Sequence, residues 1–221
     1  MIELISTEDG SSSLYNPTLK ETYHSRHGAL RESNHVFIKE GLQLKNQLSE
    51  VKILEVGMGT GLNVLLSGLY ALQRRKKIHL TTLEPFPVND SLISLVNYTD
   101  LINDSAAEGL FKDIHDLDWD RDQALNGYFT LNKLNIKLEA YDSQTIFDLI
   151  YYDAFGPHAQ PELWQETVFK HLAKFCKKGS TLVAYCAQGQ FKRNLKAAGF
   201  TIERLPGPPG KREMTRGTFE G

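Results

Sequence analysis

The sequence predicts a layered α/β fold: a mostly parallel, Rossmann-like sheet with helices on both faces and an antiparallel edge hairpin. Short apolar runs alternate with helical patterns five times along the chain. The first of these runs leads into a glycine-rich turn, and the last two are joined by a Pro-Gly turn too short to hold a crossover helix. No internal repeat interrupts the alternation, so residues 1–221 read as a single domain. Within it, residues 1–50 are expected to form an N-terminal extension, strand or loop plus helix, packed on the sheet.

The elements follow in order. Ser33 is a plausible N-cap for a helix over 33–48, with Val36, Phe37, Glu40, Leu44 and Leu48 at helical spacing. Residues 51–56 (VKILEV) read as a strand, and residues 61–75 as a helix with a basic last turn. A second strand covers 78–85, closed by prolines, and a short helix covers 88–97. The stretch 100–122 holds eight acids and two bases around Leu101, Leu110, Phe111, Ile114, Leu117 and Trp119, the pattern of an amphipathic surface helix followed by a loop. Strands are expected at 134–142 and 147–155, then a helix over 161–179 with Pro161 in its first turn and Gly179 as its stop. A fifth strand spans 180–186 and a helix 189–198. The edge hairpin pairs FTIERL with REMTRGTF across PGPPGKR.

Composition narrows the class. A chain of 221 residues with 11 Phe, 9 Tyr and 2 Trp can bury roughly 70% of its unfolded surface without staples. Two cysteines, Cys176 and Cys186, suit a reducing compartment and exclude a disulfide scaffold, so a cytoplasmic location is expected. No apolar run approaches the roughly 18 residues of a membrane span, and the opening MIELISTEDG is acidic where a signal peptide is basic. Residues 1–169 carry 14 Lys and Arg against 24 Asp and Glu, whereas residues 170–221 carry 11 against 3. The basic end suits either a polyanion-binding face or a solvated lysine-rich helix and tail.

The turn after the first strand reads Glu55-Val56-Gly57-Met58-Gly59-Thr60-Gly61-Leu62-Asn63. Backbone N–H groups and a helix N-terminus there face a ligand at the carboxyl end of the strand. The dinucleotide fingerprint requires its third glycine where Leu62 stands, which weakens a pyrophosphate reading. The spacing instead resembles the cofactor loop of S-adenosylmethionine methyltransferases. Glu84 ends the second strand near the roughly 20-residue offset at which a carboxylate receives ribose hydroxyls. Asp142 is a candidate acceptor for the adenine amino group, or the N-cap of a short helix. Asp153 lies at the carboxyl end of the strand FDLIYYDAF (147–155) and faces the same crevice. There it can hold an amine, stabilise positive charge growing on nitrogen and pass a proton to water. With an ordinary pKa near 3.9 it is expected to position more than to act as a strong base.

The Gly loop, the segment D-A-F-G-P followed by Pro161-Glu162-Leu163-Trp164, the ending G-P-P-G-K-R-E-M, and the opening Asp9-Gly10-Ser11 with Tyr23-His24-Ser25 and 28–33 together resemble the MnmC methyltransferase half and its stand-alone form, MnmD. The resemblance covers essentially the whole chain. It implies S-adenosylmethionine-dependent methylation of the aminomethyl nitrogen of 5-aminomethyl-2-thiouridine at the tRNA wobble position. It also matches Asp153 to the active-site aspartate and Glu55, Gly57, Met58, Gly59, Thr60, Gly61 and Asn63 to the cofactor loop. Many family members continue into a flavin-dependent oxidase; no second dinucleotide loop occurs in this chain, so aminomethyl tRNA is expected from other enzymes.

The tRNA anticodon loop is the partner this implies, since a single-stranded base can be splayed onto an aromatic ring while Lys and Arg hold phosphates. Phe155 is the candidate stacking ring, or a crevice wall. Lys211 and Arg212 are candidates for phosphate contact or for closing the crevice. His24 and His27 can orient substrate or simply be hydrogen-bonded. No ligand set with metal spacing is present, and no metal is expected. Two other readings stand: a methyl- or aminopropyltransferase acting on a small amine, similar to polyamine synthases, and a nucleic-acid-binding module without turnover.

Overall fold

The computed structural model describes residues 2–221. Strands β1 (Glu3–Ser6), β2 (Ser12–Asn16) and β3 (Glu21–Thr22) form a small antiparallel sheet, so the first 50 residues hold more strand than the sequence suggested. Helix α1 (Ala29–Ser33) follows, continues as a π turn over Asn34–Lys39, and breaks before a single 3-10 turn at Leu42–Lys45. The expected helix 33–48 is thus displaced. It starts earlier because the Asp9 carboxylate accepts the backbone N–H of Arg31 at 3.0 Å, satisfying a first-turn donor from outside the segment.

The main sheet then takes β4 (Glu50–Val56), helix α2 (Leu62–Arg74), β5 (Lys77–Leu83), short helices α3 (Asp90–Ile93) and α4 (Tyr98–Leu101), and α5 (Ala107–Asp116). Next come β6 (Asp122–Ala124), β7 (Phe129–Leu134), β8 (Phe147–Tyr152), helix α6 (Glu166–Ala173), β9 (Cys176–Ala184), helix α7 (Gly189–Ala197), β10 (Phe200–Pro206) and β11 (Glu213–Phe219). The order across the sheet is β10-β11-β9-β8-β4-β5-β7-β6. The five strands from β9 to β7 are parallel; β11 and β6 run antiparallel to them at the two sides, and β10 runs antiparallel to β11. From β4 the chain winds outward through β5 to β7, then crosses back to β8. The carboxyl ends of β4 and β8 therefore flank the switch point, where loops diverge and leave a crevice.

Alternate residues of each central strand supply two cores. Ile53, Leu80, Leu131, Leu149 and Val183 pack on one face with α2 and α5, whereas Leu54, Leu83, Ile150, Tyr152 and Leu182 pack on the other with α6 and α7. Covering both faces explains why these strands read as continuous apolar runs.

Two other boundaries differ from expectation. The third parallel strand is Phe129–Leu134, not 134–142; its core face includes Lys133, which looks polar in sequence. The Lys133 ammonium donates to the Ile114 and His115 carbonyls at 2.8 and 3.0 Å, capping the C-terminal end of α5. The expected helix 161–179 is three pieces: a 3-10 turn at Pro161–Trp164, α6, and the start of β9. Phe147 pairs with Cys176 but Leu149 with Thr181, so the strand bulges through Gly179 rather than beginning after it. No helix of the described residues is long and apolar enough to cross a membrane.

Candidate active site

The loop between β4 and α2 is tied to both neighbouring strands. The Gly57 N–H donates to Leu83 O and the Asp153 N–H to Val56 O, each at 3.0 Å. Gly57 has φ +91°, and a Cβ there would lie 2.7 Å from the Asp153 carbonyl oxygen, so no other residue fits without moving the main chain of Asp153. Gly59, at φ +53°, donates its N–H to Glu84 Oε2 at 3.1 Å, while Phe86 N–H reaches Glu84 Oε1 at 2.9 Å. Burial raises the Glu84 carboxyl above its ordinary pKa against the pull of the N–H groups of Phe86, Gly59 and Met58.

Gly57, Met58, Gly59 and Glu84 line a cleft of about 1290 Å³. The other loop residues stand behind it. Thr60 is buried with its hydroxyl 2.9 Å from that of Tyr98, and Gly61 takes a left-handed turn into α2. Asn63, in the first turn of α2, gives its Nδ2–H to Asp153 Oδ2 at 2.8 Å. Glu55 is wholly buried beneath the loop, accepting the Thr82 hydroxyl at 2.6 Å, and does not reach the cleft.

Across β4 from Glu84, Asp153 follows β8 and faces the cleft. Its carboxyl is pushed up to about 7, first by burial and then by the charge of Glu32, against the hydrogen bond from Asn63 and the charge of Lys211. Glu32 accepts the Ser25 N–H at 2.9 Å and pairs with the Lys211 ammonium. That ammonium sits 3.9 Å above the ring of Tyr185, whose hydroxyl bonds to Ala154 O at 2.9 Å. Phe155 lines the cleft, and Tyr23 meets it edge to face with centroids 4.9 Å apart. Tyr23 is pushed up to about 12 by burial and the Glu84 charge.

Other expected positions fall differently. Asp142 is exposed and outside the lining, because β7 ends at Leu134 and residues 135–139 take the rim instead. Lys211 is half-buried in the cleft with its charge engaged, whereas Arg212 is exposed and outside the lining. His24 and His27 line the cleft; His24 is buried, which pushes it down to about 4 and leaves it neutral, and His27 pairs with Glu8 at 3.0 Å. Glu32, Tyr23 and Tyr185 were not singled out for the site by sequence. Each lies far along the chain from the residue it serves; Tyr23 and Glu32 fall in the opening segments of the family resemblance, which gave them no site role, and Tyr185 falls in no motif.

Residues 111–220 match the family described as S-adenosyl-L-methionine-dependent methyltransferase. The tRNA 5-methylaminomethyl-2-thiouridine biosynthesis bifunctional protein MnmC of Cupriavidus metallidurans is 30% identical over 237 residues, covering 98% of this chain and 34% of that protein. Its namesake in Burkholderia thailandensis is 32% identical over 238 residues, covering 98% and 35%. The crystal structure of MNMC2 from Aquifex aeolicus superposes on the whole of this chain and 71% of that one, with a TM-score of 0.81 at 20% identity. The chain carries an MnmC-like methyltransferase domain. This MnmC-like chain spans about a third of the length of the curated relatives it matches. Spermidine synthase from Thermotoga maritima shares the general fold, with a TM-score of 0.52 at 12% identity over 100% of this chain and 80% of that one.

Proposed function

We propose that this MnmC-like domain methylates the primary amine of 5-aminomethyl-2-thiouridine at the tRNA wobble position, giving the 5-methylaminomethyl base. The observation that carries the reading is Asp153, a carboxylate raised to about 7 that lies beside the Gly loop and lines the same cleft. At about 1290 Å³ that cleft exceeds the roughly 300–1,000 Å³ of an ordinary small-molecule pocket, leaving room for a cofactor and an extruded nucleoside together. The names of the MnmC relatives supply the tRNA base.

The residues present fit S-adenosylmethionine, which when bound supplies an electrophilic methyl group on a sulfonium. Gly57 and Gly59 line the cleft with main chain alone, a Cβ at Gly59 would crowd the cleft-lining Tyr23 ring at 3.1 Å, and Met58 adds an apolar contact. Backbone N–H groups of Phe86, Gly59 and Met58 occupy three of the roughly four lone-pair sites of the Glu84 carboxylate and leave one for a ribose hydroxyl. We assign the adenine side to residues 135–139 in place of Asp142.

A primary amine attacks only as the free base. Asp153 is better suited to remove its proton than an unshifted aspartate, because a base near 7 combines a populated carboxylate with real proton affinity. Once that proton has passed to water, the regenerated carboxylate stabilises the cation forming on nitrogen as the methyl group arrives. Phe155, backed by Tyr23, offers the ring against which the extruded base stacks. Lys211, held by Glu32, closes the crevice, and exposed Arg212 is left for a backbone phosphate of the anticodon loop. The place assigned to the reaction is the cytoplasm, in keeping with the free thiols of Cys176 and Cys186.

The test is transfer of labelled methyl to tRNA bearing the aminomethyl base, to the same tRNA without it, and to diamines. Labelling of the first substrate alone is expected. Labelling of diamines alone would replace this reading with the small-amine enzyme.

A further inference from the structure

Two buried side-chain atoms without hydrogen-bond partners belong to one line of contacts behind the cleft: Glu55 Oε1 and Asn63 Oδ1. Glu55 has no exposed surface; its Oε2 accepts the Thr82 hydroxyl at 2.6 Å, and its carboxyl is in hydrogen-bonding contact with the Asn63 side chain. Asn63 in turn gives its Nδ2–H to Asp153 at 2.8 Å. The charged or titratable groups around Glu55 are Asp153 and Glu84 at the ends of the flanking strands and the Tyr151 phenol on β8; none of them is a cation.

We propose that Glu55 is a neutral carboxylic acid that gives its proton to Asn63 Oδ1, a positioning residue that holds the amide with its N–H toward Asp153. The proposal rests on the role assigned to Asp153 above. An ionised carboxylate buried with one neutral hydroxyl donor, and flanked by two further acids, is costly, whereas one proton on Oε1 supplies both orphaned atoms with a partner. The same proton decides which way the amide faces. Turned over, Asn63 would set its oxygen against Asp153 Oδ2, acceptor against acceptor, and a donor on Glu55 would have nothing to meet. Burial pushes Glu55 up to about 8, with the charges of Asp153 and Glu84 acting in the same direction and the contacts with the Thr82 hydroxyl and the Asn63 amide against it. Because Glu55 does not line the cleft, it acts through Asn63 and does not itself touch a cofactor.

The test compares the whole chain with Glu55→Gln and Glu55→Met. Gln keeps the shape, the acceptor for Thr82 and a neutral donor for Asn63. Its cofactor affinity and kcat should stay within about threefold of wild type, since the hydrogen-bond pattern survives. Met removes donor and acceptor, and should lower kcat roughly tenfold, the effect of losing one buried hydrogen-bond partner, with cofactor affinity little changed. It should also move the Asp153 titration upward, as read by carboxyl-carbon NMR on cofactor-free protein. The infrared difference between wild type and Glu55→Gln at neutral pH should contain the carbonyl band of a protonated carboxylic acid. Loss of cofactor binding in Glu55→Gln, absence of that band, or wild-type behaviour of Glu55→Met would each overturn the proposal. Should the Met variant not fold, the Gln variant and the infrared band decide it. If wild type transfers no methyl group to tRNA, the reading of the reaction fails, while the band and the titration still decide the state of Glu55.

Discussion

The two sides of the cleft are built differently although they share the loop after β4. On the β5 side, Glu84 is held by backbone N–H groups of residues within about one turn of it or of the Gly loop. On the β8 side, Asp153 answers to side chains from four parts of the chain: Glu32, Asn63, Tyr185 and Lys211. Backbone donors are fixed by the sheet and leave little to adjust. Side-chain partners can be charged, displaced or replaced one at a time, so the β8 side is where proton affinity is set.

Substituting the two carboxylates should separate these sides most strongly. On the proposed reaction, Asp153→Asn keeps its shape but loses the charge that would stabilise a nitrogen becoming cationic, so the single-turnover rate should fall roughly 10²-fold or more. An effect confined to the transition state lowers kcat and kcat/KM together, and cofactor affinity should shift only slightly. Glu84→Ala should do the reverse, weakening cofactor binding by roughly tenfold or more through lost charged hydrogen bonds, with turnover at saturating cofactor largely kept. Calorimetry with S-adenosylmethionine, paired with single-turnover methylation, reads both. Equal losses of affinity and rate in both variants would show that the two sides do not work independently.

The same difference explains what was legible in the sequence. The Gly loop, Glu84 and Asp153 are local features: each follows a recognisable apolar strand, and the sheet rules place strand ends together. Glu32 meets Lys211 from 179 positions away, and no spacing announces such a pair. Asp142 was misplaced for a related reason. Buried Lys133 hid the true strand β7, because its aliphatic stem packs in the core while its ammonium serves carbonyls of α5, a contact invisible to a pattern of apolar residues. The sequence suggests strand or loop before the first helix but not the sheet β1–β3, because its strands are two to five residues long and rich in Ser, Thr and Glu, too short and polar for an alternation to show.

A second pair of variants sharpens the comparison through pH. If the Asp153 carboxylate is the working form, turnover falls about tenfold per pH unit below its pKa of about 7. Glu32 raises that pKa and Lys211 lowers it. Glu32→Gln should therefore carry the acid limb of the rate profile to lower pH, and Lys211→Met should carry it to higher pH. Opposite displacements are the point of the experiment, since general loosening of the cleft would move both variants the same way. The corresponding Glu84→Ala profile should keep its limb near the wild-type position.

The smallest effect is expected outside the cleft and separates two adjacent basic residues. Lys211 spends its charge on Glu32 and the Tyr185 ring, whereas Arg212 is exposed and has no ion-pair partner among the described residues. Only a cation free to meet a phosphate releases counterions when tRNA binds, and each such contact on a single strand contributes about 0.7 to the slope of log affinity against log salt. Arg212→Ala should therefore weaken tRNA binding uniformly, lower that slope by about 0.7, and leave cofactor affinity and the acid limb untouched. Lys211→Met should leave the slope alone while shifting the limb. Filter binding of tRNA across a salt series, run on both variants, distinguishes them. A slope that falls in Lys211→Met and not in Arg212→Ala would mean that Lys211 leaves Glu32 to meet the RNA, and the β8 side of the cleft would then be part of the phosphate-binding face.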